Sequence, residues 1–281
     1  MIPYYRLSRN SSELKALERI FETGNWVVGE CTLKLEQELK ILFKKKHIVL
    51  TSNGYSALFL SIKALGLKNQ KIIVPAISTC FAITNSVIAS GNEPVFCDIN
   101  IFDGNCSIES VKELINKTGA KTIISPNHAG NISDVNAFKS FGLTVIEDAC
   151  QSFFSSLYLN SASDAQVFSF YPTKGVNGID GGIIATDNED IATKAKKMVY
   201  YDSQEAYDEA ERYNFRFLNI CGAIALANLS HMSDSIQKLN MIEKQYDKLI
   251  EDTNSIHKLK NNKSNVLQRY VIYINLSLIH I

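Results

Sequence analysis

Seven short apolar runs alternate with stretches of helical periodicity along most of this chain, and that alternation restricts the fold more than any other feature. The runs fall at residues 47–50, 71–74, 93–96, 122–125, 143–146, 167–170 and 182–185. Around them, residues 11–22, 32–43, 55–65, 83–90, 108–116, 134–140 and 189–201 repeat apolar positions with a helical period. Near-continuous apolar strands separated by helices mark a sheet covered on both faces, with most strands parallel. The expectation is an α/β fold with a mostly parallel seven-stranded sheet sandwiched by helices. At 281 residues and 46% hydrophobic content, the chain can bury a substantial core. From about Met232 the pattern turns into one long charged amphipathic helix, residues 235–252. The expected division is therefore 1–231 and 232–281.

Charge and cysteine content narrow the class of function. Formal net charge is zero, so there is no broad basic footprint for nucleic acid or acidic lipid. The short basic run Lys44 to Lys46 reads as a solvated helix end that places cations at the negative dipole. No stretch approaches the roughly 20 apolar residues of a membrane helix, and the first residues carry no apolar signal core. A cytoplasmic protein that binds neither membrane nor nucleic acid is expected. The six cysteines, Cys31, Cys80, Cys97, Cys106, Cys150 and Cys221, show no Cys-x-x-Cys pair and no metal-like His spacing. They read as buried reduced thiols. Cys150 has no His placed to activate it, which argues against a nucleophilic role, and no metal is expected.

Three segments carry chemistry. Asp148 closes the apolar run 143–146, so it falls at a strand's carboxyl end, the edge where open α/β sheets bind ligands. A carboxylate there can hold a pyridine nitrogen protonated through a charge-assisted hydrogen bond. Lys174 follows the run ending at Phe170, five residues after Ser169, and precedes a glycine-rich loop. A partly desolvated amine in such a place is a usable nucleophile. Ser52-Asn53-Gly54 links a strand to a helix opened by Tyr55 and Ser56, and free N–H groups at a helix start receive phosphate. Each segment also has a plainer reading: an acid capping a strand, a solvated loop lysine, an ordinary capped turn. Their combination and order point to pyridoxal 5'-phosphate (PLP), with an amine for a Schiff base, a carboxylate for the ring nitrogen and a hydroxyl, Ser169, for the phosphate.

At this point the chain resembles the DegT/DnrJ/StrS family of PLP-dependent sugar aminotransferases. The resemblance runs from Gly24-Asn25-Trp26-Val27-Val28-Gly29 through Ser52-Asn53-Gly54, the His128-Ala129-Gly130 turn and Glu147-Asp148-Ala149-Cys150-Gln151. It continues through Phe168-Ser169-Phe170 with Lys174 and Gly181-Gly182 to Tyr213-Asn214-Phe215-Arg216. It implies a ping-pong transamination in which glutamate, the usual donor, displaces Lys174 from the cofactor and the freed amine then shuttles a proton. It implies that Gln151 bonds the ring's phenolic oxygen and that Ser169 meets the phosphate. A ring-stacking residue is expected at Cys80-Phe81, with Phe81 the choice on stacking grounds. The acceptor would be the keto group of a nucleotide-linked sugar. Asn214 is expected to reach the phosphate of the opposite subunit, which makes the partner a second copy in a homodimer with shared sites.

The sequence departs from the family in two places. Tyr55 stands where a small hydroxyl residue is usual, leaving the N–H groups of Gly54, Tyr55 and Ser56, with the Ser56 hydroxyl, as the expected phosphate donors. The family also continues well beyond the strand expected at residues 269–275, into a small C-terminal domain. The final hexapeptide, Leu276 to Ile281, matches what a sequencing-library transposon end encodes in one frame, so a longer native protein is expected. The alternative to a transaminase is a PLP-binding relative with another outcome, a sugar dehydratase or a regulatory homologue. The presence of Lys174, where dehydratase variants carry histidine, argues against the former.

Overall fold

The computed structural model describes residues 11–77, 79–157, 160–202, 211–251, 255–260 and 265–274. The first ten residues and the terminal hexapeptide lie outside the described residues. Two helices, Ser11–Thr23 (α1) and Glu30–Phe43 (α2), lead into strand His47–Thr51 (β1) and helix Gly54–Ala64 (α3). Lys71–Pro75 (β2), Phe81–Ala89 (α4), Glu93–Cys97 (β3), Ile108–Thr118 (α5) and Thr122–Pro126 (β4) follow. A single 3-10 turn at His128–Gly130 precedes Val135–Ser140 (α6), Thr144–Asp148 (β5), the short Phe153–Ser156 (α7), Ala165–Ser169 (β6) and Gly182–Thr186 (β7). Glu189–Val199 (α8), Asn219–Leu229 (α9), Met232–Ile250 (α10), Ile256–Lys258 (β8) and Ile272–Ile274 (β9) complete the order.

The seven expected strands form one sheet in the order β1-β7-β6-β5-β4-β2-β3. Its pairs are parallel except those of β7, which runs antiparallel to both β6 and β1. Side chains alternate across a strand, and the core divides accordingly. Ile72, Ile146, Val167 and Ile184 enter the layer under α3 and α8. Their chain neighbours Ile73 and Val145 feed the layer under α5 and α6, while Phe168 and Ile183 meet α2 and α9. Every residue of β4, β6 and β7 is buried, which is why these segments read as unbroken apolar runs.

Several helices begin on a side chain that satisfies orphan N–H groups. Asn53 caps α3 by accepting from Ser56 N–H, Ser107 caps α5, and Asn188 caps α8 by accepting from Asp190 and Ile191. Helix α9, Asn-Ile-Cys-Gly-Ala-Ile-Ala-Leu-Ala-Asn-Leu, was not among the expected elements. It packs against α1 and α2 and is buried on most sides, so it has no polar stripe to set a period. The expected strand at 269–275 is shorter, β9 pairing with β8 in a separate two-stranded ribbon, and Asn275 lies outside the described residues.

The antiparallel β7 positions the chemistry. Strands β1, β4, β5 and β6 all end at one edge of the sheet, and β7 starts there: Thr51 and Ser169 both register with Gly182, and Pro126 with Asp148. Because β6 turns straight back into β7, the connecting loop with Lys174 stays at that carboxyl edge rather than crossing to the far end.

Candidate active site

Asp148 is the last residue of β5 and only 7% exposed. Its Oδ1 accepts the Cys150 N–H at 3.0 Å, and its carbonyl accepts the Asn127 N–H at 2.9 Å. Oδ2 accepts no N–H from a described residue, so one carboxylate oxygen is left for a ligand. The neighbouring Glu147 points to the opposite face, as strand alternation requires. It is 1% exposed and takes hydrogen bonds from Asn127 Nδ2 at 2.6 Å, Ser163 Oγ at 3.2 Å, Gln166 Nε2 at 3.0 Å and Ser161. A buried carboxylate with that many donors is a structural anchor. Of the adjacent acids, only Asp148 is free for chemistry.

The Lys174 loop is closed by its own backbone. Phe170 N–H donates to Gly181 at 2.8 Å, Gly178 to Phe170 at 2.9 Å, and Lys174 to Tyr171 at 2.9 Å. The Lys174 side chain is half-buried and its amine makes no hydrogen bond or ion pair with a described residue. Its place beside the β5 edge is seen through Cys150. Burial pushes that thiol well up, Asp148 raises it further, and Lys174 pulls in the opposite direction. A thiol held protonated in this way is a poor nucleophile, which agrees with the reading of Cys150 as inert.

Gly54 opens α3 against Ser169. A Cβ on Gly54 would stand 3.0 Å from Ser169 Cβ, 3.4 Å from its Oγ and 3.3 Å from Cys150 Sγ. Three segments far apart in sequence therefore meet so closely that one methyl group would press on its neighbours. Behind them, Gly182 lies so close to the Asn53 carbonyl that a side chain could not fit. The N–H groups of Gly54 and Tyr55 take no acceptor among the described residues and, with the 7% exposed Ser169, form the donor set at this end.

Ser56 departs from expectation. Its N–H donates to Asn53 Oδ1 at 2.8 Å, and its buried hydroxyl lies 3.0 Å from the same oxygen and 2.9 Å from Ser52 Oγ. The cap consumes both of its donors, so Ser56 has none left for a phosphate. Asn53 is the residue that does this, in the role that the plainer reading of an ordinary capped turn gives it.

Gln151 accepts the Ala129 N–H on its Oε1 at 3.0 Å. That bond fixes which end of the amide is which, so the Nε2 donors face away from the Ala129 turn. Phe81 is the first residue of α4 and 85% exposed, so the structure does not bring it into the cluster. Cys80, the residue before it, is close enough to act on the Cys150 thiol. Asn214 is exposed, forms a backbone bridge with Tyr200, and has no side-chain hydrogen bond among the described residues. Its chain neighbour Phe215 accepts the Ser52 N–H at 2.7 Å, at the turn that opens α3. Among the described residues no group of His, Cys, Asp and Glu could hold a metal, and no helix is long and apolar enough to cross a membrane.

The profile of the DegT/DnrJ/EryC1/StrS aminotransferase family matches residues 8–279. The chain is 29% identical over 259 residues to GDP-perosamine synthase of Vibrio cholerae, an alignment covering 88% of this chain and 70% of that protein. It is 30% identical over 266 residues to 3-oxo-glucose-6-phosphate:glutamate aminotransferase of Bacillus subtilis, covering 89% of this chain and 59% of that one. In structure it is similar to Helicobacter pylori PseC, an aminotransferase involved in the biosynthesis of pseudoaminic acid. The TM-score is 0.86 at 24% identity, over 97% of this chain and 77% of that chain.

Proposed function

The chain belongs to the DegT/DnrJ/EryC1/StrS aminotransferase family, and from that membership we propose that it transfers an amino group from glutamate to a keto carbon of a nucleotide-linked sugar. Members of the family are PLP-dependent aminotransferases. The observation that carries the reading to these residues is the convergence at one sheet edge of a half-buried Lys174 amine with no partner among the described residues, the Asp148 carboxylate, and the Gly54–Ser169 contact.

PLP, when bound, supplies a carbonyl that condenses with amines and a ring that delocalises the electron pair left on the substrate carbon. In this reading Lys174 is the condensing amine and, once displaced by the amino donor, the base that moves the proton. Asp148 holds the proton on the pyridine nitrogen through its unclaimed oxygen. Gln151, with its Oε1 committed to Ala129, donates from Nε2 to the phenolic oxygen. Ser169 and the N–H groups of Gly54 and Tyr55 receive the phosphate. Asn214, exposed on its own chain, reaches the phosphate in a second copy, giving a cytoplasmic homodimer with shared sites. Residues 1–231 supply the cofactor-binding unit, and 232–281 belong to a second unit.

The test is borohydride reduction of the PLP-loaded protein followed by peptide mapping. The adduct is expected on Lys174, to vanish in Lys174→Ala, and the visible band of the loaded protein is expected to shift when glutamate is added. An adduct on another lysine, or a band indifferent to every amino acid, overturns the assignment.

A further inference from the structure

Residues 265–270 lie after the long α10 helix, outside every motif identified above, yet they dock on the rim of the site. The contact is made largely by backbone groups. Val266 N–H donates to Ser155 Oγ at 2.8 Å, and that hydroxyl in turn lies 2.9 Å from the Gly130 carbonyl. Gly130, at φ 108°, is pressed so closely on the Val266 carbonyl that a Cβ would collide with it. The central residue is Gln268. Its N–H donates to the Ala129 carbonyl at 2.9 Å, and its side-chain Nε2 donates to the Thr173 carbonyl at 2.8 Å.

Resting on Lys174 as the PLP-bearing lysine, we propose that Gln268 is a positioning residue that ties the Lys174 turn to the turn that orients Gln151. The Thr173 carbonyl belongs to the peptide directly before Lys174, so the bond from Nε2 fixes the plane from which the lysine side chain departs. On the other side Ala129 has φ 56°, a left-handed conformation that a residue with a Cβ adopts only under constraint. Both of its peptide groups are engaged: the N–H by Gln151 Oε1 and the carbonyl by Gln268. One glutamine therefore links the residue holding the cofactor's aldehyde carbon to the residue contacting its phenolic oxygen. These two groups are neighbours on the ring, and their relative placement sets the proton balance between them. Among the described residues nothing else bonds the Thr173 carbonyl.

The perturbation is Gln268→Met, which keeps length and volume but offers no donor to Thr173. Three readouts follow in the PLP-loaded full chain: the pH midpoint of the visible band, the rate of PLP release to a trapping agent, and steady-state kinetics. The expected result is a midpoint moved by at least half a unit and release about tenfold faster. Turnover should fall roughly ten- to a hundredfold with KM for the amino donor within twofold, because a misplacement of about 1 Å costs on that order while Gln268 touches backbone rather than substrate. A role in folding alone would lower the melting temperature and leave the midpoint where it was. Gln268→Glu is read beside it, since an ionised carboxylate also lacks the donor; should the Met variant not fold, it decides alone. Unchanged midpoint and release in a folded variant overturn the proposal. Borohydride mapping of the parent protein separates the two claims: an adduct away from Lys174 sinks the functional reading, whereas an adduct on Lys174 with indifferent Gln268 variants sinks only this one.

Discussion

Substituting Gly54 by alanine separates the fold from the cofactor site with a single methyl group. Gly54 is the first residue of α3 and is not in the left-handed region, so alanine meets no backbone strain. Helix propensity would favour it by up to about 1 kcal/mol. Against this stand the contacts at 3.0 Å to Ser169 Cβ and 3.3 Å to Cys150 Sγ. The first is tighter than most unstrained contacts, and Ser169 sits on the fully buried β6, so it or the helix start must shift by a few tenths of an ångström. The two effects oppose each other, so stability without cofactor should change by no more than about 1 kcal/mol, within the usual range for single substitutions. Cofactor binding should not be spared. Moving Ser169 or the helix start by a few tenths of an ångström spoils at least one hydrogen bond to the phosphate, worth about 1.5–3 kcal/mol to a charged group. At about 1.4 kcal/mol per decade, PLP should bind roughly ten- to a hundredfold more weakly. Absorbance titration with PLP, beside melting curves without it, measures both quantities. In Gly54→Ala/Cys150→Ala only part of the affinity should return, since the Ser169 contact remains. A variant that binds PLP within twofold of the parent would refute the idea that this contact frames the phosphate.

Asp148→Asn preserves shape and removes the charge, so its kcat/KM should fall about a hundredfold or more, against about tenfold for Gln151→Ala; equal losses would rule out the ring-nitrogen role. Mixing inactive Lys174→Ala with an inactive Asn214 variant under subunit exchange should restore activity, approaching one intact site per heterodimer, and no recovery despite proven exchange would return Asn214 to its own chain. Burial is the main cause raising the Cys150 and Cys221 thiols. A raised folded pKa means the folded state holds the proton longer, so this stabilisation is complete below about pH 8.5, the ordinary thiol value, and is lost as pH rises beyond it. The urea midpoint should accordingly drop between pH 8 and 10, and Cys150 should alkylate far more slowly than the exposed Cys80; a flat midpoint with equal alkylation would contradict the burial argument.

What the sequence made legible follows from which physical signals are local. All seven sheet strands were readable because burial on both faces leaves an apolar run, as in the wholly buried β6 and β7. Helix α9 was not, because a helix surrounded by protein loses its polar stripe, and an apolar stretch without period gives no element type. Within the site, Asp148, Ser169 and Lys174 were singled out from their places at strand ends, which are properties of a few neighbouring residues. The donor set around Gly54 was overstated for a different reason. Whether Ser56 meets a phosphate depends on whether Asn53 has already taken its N–H, a competition between two local partners that residue types alone do not decide. The same limit applies to the pair Glu147 and Asp148. They are adjacent and chemically alike, but strand alternation sends one into a nest of serine, asparagine and glutamine donors and the other to the ligand edge. Gln268 left the weakest trace of all. It acts on the carbonyls of Ala129 and Thr173, and a backbone carbonyl is present at every position whatever the sequence. A residue that works through such groups leaves no motif, so the rim of this site could be read only once the chain was folded.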